Sequence, residues 1–407
     1  MGKSLYICYF GVREPLVQTQ VIPYLRELAK GGHEMSLVTF EGKIDELERH
    51  GVEKLKAELA AQGIDWSWLK YHKRFSVAAT AWDIFQGARF VRQTIKQKDL
   101  DILHGRSHVP TLMAVLARRR SRRKPRILFD IRGFFPEEYT DAGVWPENGS
   151  LYKAVKRVER WLLREADGFV VLTERAKEIL FGKTPVEPLR SRPVEVIPCC
   201  VDLTRFAEAN ETTRAATREE LEIGDRYVMA YVGAFGGWYL TEETANLFAE
   251  LKRMRPDAFA MVLTQSKPDV IEPLLRARGY SDGDYIVRKV PPVELPKYLS
   301  AADAAVSFIK KCYSKQASSP TKNAEYLACG LPIIANAGIG DTDLHLKDTG
   351  VGALVNGFEV EELHNAIMQV QELGDVSEKC RAMAAQLFDL ESVGGERYRH
   401  IYERLIK

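Results

Sequence analysis

Lys322 and Glu325 stand three residues apart in the stretch SSPTKNAEYLACGLPII, residues 318–334. Ser319, Pro320 and Thr321 precede them and read as the cap and first turn of a helix, with proline where a missing N–H costs least. Such a helix start presents free backbone N–H groups and the positive end of a dipole, which favours an anion such as a phosphate. Lys322 would add a full charge there. Glu325, one turn on, can accept two hydrogen bonds from a vicinal diol such as a ribose, as an acidic residue does in dinucleotide-binding folds. Phosphate beside a sugar diol is the signature of a nucleotide. The rival reading is an i,i+3 ion pair on a solvated helix face, which is common. Against it stand the Ser-Pro-Thr and Cys-Gly-Leu-Pro that bracket the pair.

A second group of candidates lies in the N-terminal half. ILFDIRGFFPEEY places Asp130 two residues before Arg132 at the end of an apolar run. Arg132 is permanently charged and bidentate, so it can grip a phosphate but cannot act as a general base. Asp130, Glu137 and Glu138 are the nearby carboxylates; direct catalysis by any of them competes with orienting Arg132 or capping a helix. His104 and His108, in HGRSHVPT, follow a strand end and are candidates to face an acceptor, against a structural or surface role. Their four-residue spacing invites a metal, but no third ligand is in view and none is expected. The aromatic and basic stretch DWSWLKYHKRF, residues 65–75, reads equally as a dock for a sugar or lipid head group and as an amphipathic covering element.

The elements around these residues alternate. SLYICYF, a loop, a helix with Val21, Leu25 and Leu28 on one face, and MSLVTF form a βαβ unit; the helix is expected to begin near Thr19, because Pro23 is tolerated only in a first turn. The pattern continues with helices at 82–97, 110–120, 149–165 and 174–181 between the strands DILHG, RILFDI, GFVVLT and VEVIP. The polar segment 203–225 lacks the apolar spacing of a core element and is expected to be a linker. A new series follows: YVMAYVGAF, FAMVLTQ, YIVRKV, DAAVSFI and LPIIANA as strands, with helices at 241–253, 268–278, 293–301 and 320–328. This alternation predicts an α/β fold of two doubly wound, Rossmann-like domains facing across a cleft, with ligands at the carboxyl ends of the strands. The expected domains are 1–203 and 204–385, with a C-terminal helix, 386–407, packing back on the first.

Composition narrows the class. A chain of 407 residues exceeds one ordinary core, and 45% hydrophobic with 28% charged residues is typical of a water-soluble globular protein. No run approaches the roughly 18 apolar residues that span a bilayer, and MGKSLYICYF reads as a first strand, not a signal peptide. The six cysteines show no CxxC pairing, so neither a disulfide framework nor a zinc site is expected and a reducing cytoplasm fits. Residues 1–200 carry 34 Lys and Arg against 25 Asp and Glu, net +9, while the remainder is −7. RRRSRRKPR, residues 118–126, is the densest basic cluster. It reads first as a solvated helix end, next as a contact for an anionic membrane or acceptor, and last as a nucleic-acid site, since no binding module accompanies it.

SPTKNAEYLACGLPIIA, YVGAF, VIPCCVDLTRF and ADGFVVLTERAKEIL together resemble the GT-B glycosyltransferases, specifically the retaining group-4 type that use nucleotide-sugar donors. The resemblance covers nearly the whole chain in element order and is most specific in the second half. It implies a donor site in the C-terminal domain and an acceptor site in the N-terminal one. By position, Glu325 matches the glutamate that holds the donor ribose, and Ser319, Thr321 and Lys322 lie where the diphosphate or sugar is met. Gly233 matches the glycine beneath the phosphates, Gly11 the N-domain loop that approaches the donor, and Arg288 the strand end lining the base pocket. The chain departs from the pattern at Ala317, where a glutamate usually contacts the donor sugar, and at Ala234, where an arginine is common. Arg132 replaces the usual histidine. Lys322, Arg132 and Asp130 are therefore the catalytic candidates, the two cations stabilising charge on the departing diphosphate.

The resemblance implies transfer of a hexosyl-type sugar from a nucleoside-diphosphate sugar, UDP-sugar favoured over GDP-sugar, to a glycan or lipid-linked saccharide in cell-surface polysaccharide or glycoconjugate synthesis. No cofactor and no nucleic-acid partner are expected. The expected location is cytoplasmic, with peripheral attachment to the inner membrane face through the basic N-terminal domain as an option. Two rivals stay open: a nucleotide-sugar 2-epimerase of the same fold, and a non-catalytic sugar-nucleotide binder.

Overall fold

The computed structural model describes residues 2–72 and 76–407, so the end of the 65–75 stretch, residues 73–75, lies outside the described residues. The chain forms two compact units, one of Met1–Pro198 with Leu390–Lys407 and one of Cys199–Asp389.

The first unit is built on a seven-stranded parallel sheet. Its strands are β1 (Lys3–Ile7), β2 (Glu34–Glu41), β3 (Ile64–Lys70), β4 (Ile102–Arg106), β5 (Arg126–Ile131), β6 (Gly168–Val171) and β7 (Val194–Val196), in the order β3-β2-β1-β4-β5-β6-β7. The inner strands are buried almost throughout, as expected of strands covered by helices on both faces. Edge strand β3 is only partly buried, which fits its mixture of tryptophans with Asp65 and Lys70. The last helix, Glu396–Ile406, sends Tyr398, Ile401, Tyr402 and Leu405 into the interior of this unit.

The opening helix differs from expectation. Instead of one helix from Thr19 there are two, Pro15–Gln20 and Ile22–Lys30, broken at Val21. Pro23 lies in the first turn of the second helix. It lacks an N–H to donate backwards, so the chain breaks just ahead of it.

The second unit carries a six-stranded parallel sheet of β8 (Val228–Val232), β9 (Phe259–Leu263), β10 (Tyr285–Arg288), β11 (Ala304–Ser307), β12 (Ile333–Asn336) and β13 (Gly352–Val355), ordered β10-β9-β8-β11-β12-β13. Hydrophobic clusters lie on its two sides, one around Leu299, Tyr326 and Ile333, the other around Phe248, Phe308 and Ile367. Segment 203–225 is not a linker. It forms the 3-10 turn Leu203–Phe206 and the helix Glu211–Glu220, and Phe206, Ala209 and Ile223 join the core. Arg214 fastens the helix by donating to the carbonyls of Ser300 and Ala302 and pairing with Asp303. Arginine-to-carbonyl bonds leave no hydrophobic period, so the segment looks polar while being packed.

Candidate active site

In an open parallel sheet the strand order reverses at a switch point, and the loops beyond the carboxyl ends there form the natural ligand site. In the second unit β8 and β11 are the neighbours at that point. Gly233 follows β8 with φ +131°, and a Cβ on it would stand only 3.2 Å from Lys322 Nζ. The backbone angle favours glycine here, and a larger residue would also press on the lysine. Beyond the β11 loop, helix Thr321–Ala328 begins with Pro320 at its cap position and no side chain bonded to its first turn.

Lys322 is 6% exposed. Its Nζ lies 4.4 Å from the ring centroid of Tyr231 and 4.3 Å from that of Tyr239. Cation–π contact is favourable for a desolvated ammonium, yet Nζ has no hydrogen-bond acceptor among the described residues. Burial pushes the Lys322 pKa down to about 7, against the pull of Glu325. Glu325 keeps part of its surface open, but the atoms crowded around its carboxyl raise its pKa to about 7, opposed by Arg205 and Lys322. A buried cation without an acceptor is costly. An anionic oxygen placed against Nζ would relieve that cost, and Glu325 one turn on can accept hydroxyl protons.

The other donor-site candidates fall around this pair or apart from it. Thr321 is the first helical residue. Ser319 does not cap the helix: its hydroxyl accepts the Cys199 N–H at 3.0 Å, tying down the chain entering the unit. Arg288 ends edge strand β10, where it donates to Tyr298 Oη at 2.7 Å and stacks over that ring. No contact among the described residues joins it to Lys322 or Glu325. The sequence reading missed Lys315, a second buried lysine, whose Nζ lies 3.9 Å from the Trp238 ring centroid. Trp238 and Tyr239, which stand near the position of the missing loop arginine, are thus cation-holding rings. Arg205 also escapes the sequence reading, because it falls in segment 203–225, which reads as a linker. A second lysine seven residues before Lys322 was the only available signal.

In the first unit the switch point lies at β1 and β4. Asp130, on β5, is 0% exposed. Its Oδ2 accepts from Tyr398 Oη at 3.1 Å and Tyr6 Oη at 3.5 Å, and lies 3.4 Å from His104 Nε2. Arg132 Nη1 is 3.6 Å from Oδ1, and Arg106 Nη1 is 3.9 Å from Oδ2. Burial alone would raise the Asp130 pKa, but Arg132, His104 and Arg106 outweigh it and hold it at about 2. Asp130 is therefore a buried counter-ion that orients Arg132, and it has no surface from which to meet a substrate. Arg132 itself is 9% exposed at the side chain.

The histidines are corrected by the same geometry. His104 is fully buried between Asp130 and Tyr402 Oη, 2.9 Å away, and its pKa is lowered by burial. His108 is buried with Nε2 3.0 Å from Glu159 Oε2, and Glu159 also pairs with Lys156. Neither faces an acceptor; both sit on the inner side of their elements, where a polar ring persists only if hydrogen-bonded. Glu137 is likewise engaged, by Lys156 at 3.0 Å and Tyr152 at 2.9 Å. Gly11 is required for a reason inside its own unit: a Cβ would meet Glu41 Oε2 at 2.7 Å. Glu41, buried with a pKa raised by burial, accepts the Val12 N–H and the Thr39 hydroxyl and so fixes this loop. Among the described residues no three His, Cys, Asp or Glu side chains could hold a metal, and no helix is long and apolar enough to cross a membrane. Among the described residues none of the six cysteines is in a disulfide.

Comparisons with known proteins give the family. Residues 17–205 match the family model described as Glycosyltransferase Family 4, and residues 213–387 match Glycosyl transferases group 1. No curated protein sequence matches the chain. Among solved structures, a glycosyltransferase from Rickettsia africae superimposes with a TM-score of 0.73 at 15% identity, covering 100% of this chain and 99% of its own. HepE from Anabaena, solved with UDP and glucose, gives 0.68 at 15% identity, covering 99% and 100%. WaaG, a glycosyltransferase involved in lipopolysaccharide biosynthesis, gives 0.65 at 16%, covering 98% of each. At such identities these likenesses concern the fold, which they identify as GT-B. With the two family models covering successive halves of the chain, the protein belongs to the group-4-type GT-B glycosyltransferases.

Proposed function

We propose that the protein transfers a hexosyl-type sugar from a nucleoside-diphosphate sugar, a UDP-sugar before a GDP-sugar, to a glycan or lipid-linked saccharide, with retention of anomeric configuration. The observation that carries this reading is Lys322: an almost fully buried ammonium with no acceptor among the described residues, roofed by two tyrosine rings, with Glu325 one turn away. A donor diphosphate supplies the missing acceptor and a ribose supplies the diol. HepE, with the same fold, has been solved with UDP-glucose, which favours uridine as the base.

In the proposed reaction the bond between the sugar C1 and the β-phosphate oxygen breaks, and a bond from C1 to the acceptor hydroxyl oxygen forms on the same face. The hydroxyl proton passes to the departing phosphate oxygen, and the nucleoside diphosphate leaves. Negative charge builds on that phosphate, and the Lys322 ammonium lowers the barrier by meeting it in a site of low dielectric. The pathway proposed is cell-surface polysaccharide or glycoconjugate synthesis, on the cytoplasmic side.

The test is a thermal-shift titration against a panel of nucleoside diphosphates and their sugars. A ligand that binds only the folded state raises the melting temperature with concentration. The donor reading expects UDP to stabilise the wild type and to lose most of that effect in Glu325→Ala. Absence of a shift with every nucleoside diphosphate overturns it.

A further inference from the structure

The second unit has a cavity at the end of its sheet away from Lys322 and Glu325. Its volume is about 330 Å³, and it lies beneath the amino ends of β8, β11 and β12, where Tyr227, Asp303 and Pro332 lead into those strands. A space of this size is within the range of small-molecule sites. Gly233 and the start of helix Thr321–Ala328 stand at the carboxyl ends of the same sheet, the usual ligand end. None of the residues lining the cavity is among those around Lys322.

Some polar groups of the cavity are answered by the protein and some are not. Asp303 pairs with Arg214 at 2.5 Å and Arg218 at 3.6 Å, and Asp375 accepts the Ser377 N–H at 3.0 Å. Two donors on the wall made by helices Val360–Glu372 and Ser377–Phe388 are left over. Gln371 Nε2 is buried and has no hydrogen-bond partner among the described residues. Arg381 Nη2 donates to the carbonyls of Ala209 at 3.0 Å and Cys329 at 3.3 Å, while among the described residues its Nε and Nη1 find no acceptor and no carboxylate pairs with it. Gly330, with φ +82°, brings the end of helix Thr321–Ala328 against this arginine: a Cβ there would stand 3.0 Å from Arg381 Cζ. Arg381 is thus held in place before a ligand arrives. On helix Glu211–Glu220, Glu211 also lines the cavity and has no ion pair among the described residues. A buried donor without an acceptor is costly, and folded proteins keep few of them.

We propose that this cavity binds a small hydroxylated molecule bearing one oxyanionic group, a phosphate monoester or a carboxylate. The oxyanion accepts from Gln371 Nε2 and from Arg381, a charge-assisted contact with a pre-positioned donor. Hydroxyl groups of the same molecule donate to Glu211. An apolar ligand would leave Gln371 and Arg381 without acceptors, and a bare anion would leave Glu211 and most of the volume unused. The proposal does not rest on the donor reading, because the two places share no residue.

The experiment titrates the full chain calorimetrically with glucose 6-phosphate, glucuronate, inorganic phosphate and glucose. Glucose 6-phosphate or glucuronate is expected to bind at least tenfold more tightly than glucose and than inorganic phosphate, and the tighter of the two charged sugars names the oxyanion. Gln371→Leu should weaken that binding by about 10- to 100-fold, the worth of one hydrogen bond to a charged group, and leave the melting temperature at or above that of the wild type. Arg381→Met should weaken it at least as much; if loss of the Ala209 and Cys329 contacts keeps that variant from folding, Gln371→Leu decides alone. Lys322→Met should bind the charged sugar as the wild type does. The proposal is overturned if neither charged sugar binds, if glucose binds as well as they do, or if Gln371→Leu binds undiminished. It also fails if Lys322→Met is the variant that loses the charged sugar, which would place that ligand in the donor site.

Discussion

Asp130 in the first unit and Lys322 in the second are both nearly removed from water, and their surroundings treat the charge in opposite ways. Asp130 is met by two arginines, a histidine and two tyrosine hydroxyls, and its pKa falls to about 2. Lys322 has two aromatic faces and, among the described residues, no hydrogen-bond acceptor, and its pKa falls to about 7, toward the neutral form. In both cases the shift points downward, but for an acid this favours the charge and for a base it opposes it. A buried charge held between fixed counter-ions is part of the framework, even though Asp130 Oδ1 itself accepts no hydrogen bond among the described residues. One that the protein has left incomplete is a place for a ligand.

The largest test of this contrast is Asp130→Ala, which leaves Arg106 and Arg132 buried without their counter-ion. Chemical denaturation should show a loss of about 3–5 kcal/mol, as for other broken buried pairs. Lys322→Met should do the reverse to the empty protein, leaving its stability equal or higher, because a buried ammonium without an acceptor is removed. The same variant should weaken UDP binding by about 10- to 100-fold by calorimetry, the worth of one hydrogen bond to a charged group. If Lys322→Met unfolds the protein as Asp130→Ala does, the contrast between framework and ligand site collapses.

The pH dependence sharpens the comparison further. As pH rises through about 7 the empty site loses the Lys322 proton, whereas a bound diphosphate would hold it in place. Binding therefore takes up a proton above that pH, and UDP affinity should fall by up to about tenfold per pH unit. In Lys322→Arg, whose guanidinium keeps its charge, this fall should vanish and leave only the opposite contribution of Glu325, which gains its charge over the same range; a fall that persists would move the titrating group elsewhere. For Asp130 the sign is opposite: its stabilisation is present above the ordinary aspartate range and is lost as pH falls toward 2. The smallest effect expected is that of Tyr402→Phe, which removes one hydroxyl partner of His104. A loss of about 0.5–1.5 kcal/mol is expected, with UDP affinity unchanged.

The elements themselves were legible because their signal is local. Apolar runs gave the parallel strands, and proline and glycine punctuated the helices, as around helix Thr321–Ala328. Where the sequence misled, the cause was tertiary. Segment 203–225 reads as a linker because arginine-to-carbonyl bonds, not an apolar stripe, fasten it. His104 reads as an acceptor contact because its partner Tyr402 is 298 residues away. Lys315 went unseen because nothing near it in the chain foretells the Trp238 ring that covers it.

By itself the sequence determined the alternation of strands and helices, the helix start at Pro320 and Thr321, and the placing of Lys322 and Glu325 one turn apart. All follow from backbone preferences and spacing along the chain. Only the tertiary structure decided that Lys322 is buried between Tyr231 and Tyr239, and that Asp130 is closed over by Tyr398, 268 residues later. Those outcomes depend on desolvation and on which groups meet across the fold, and neither is a property of any short stretch of residues.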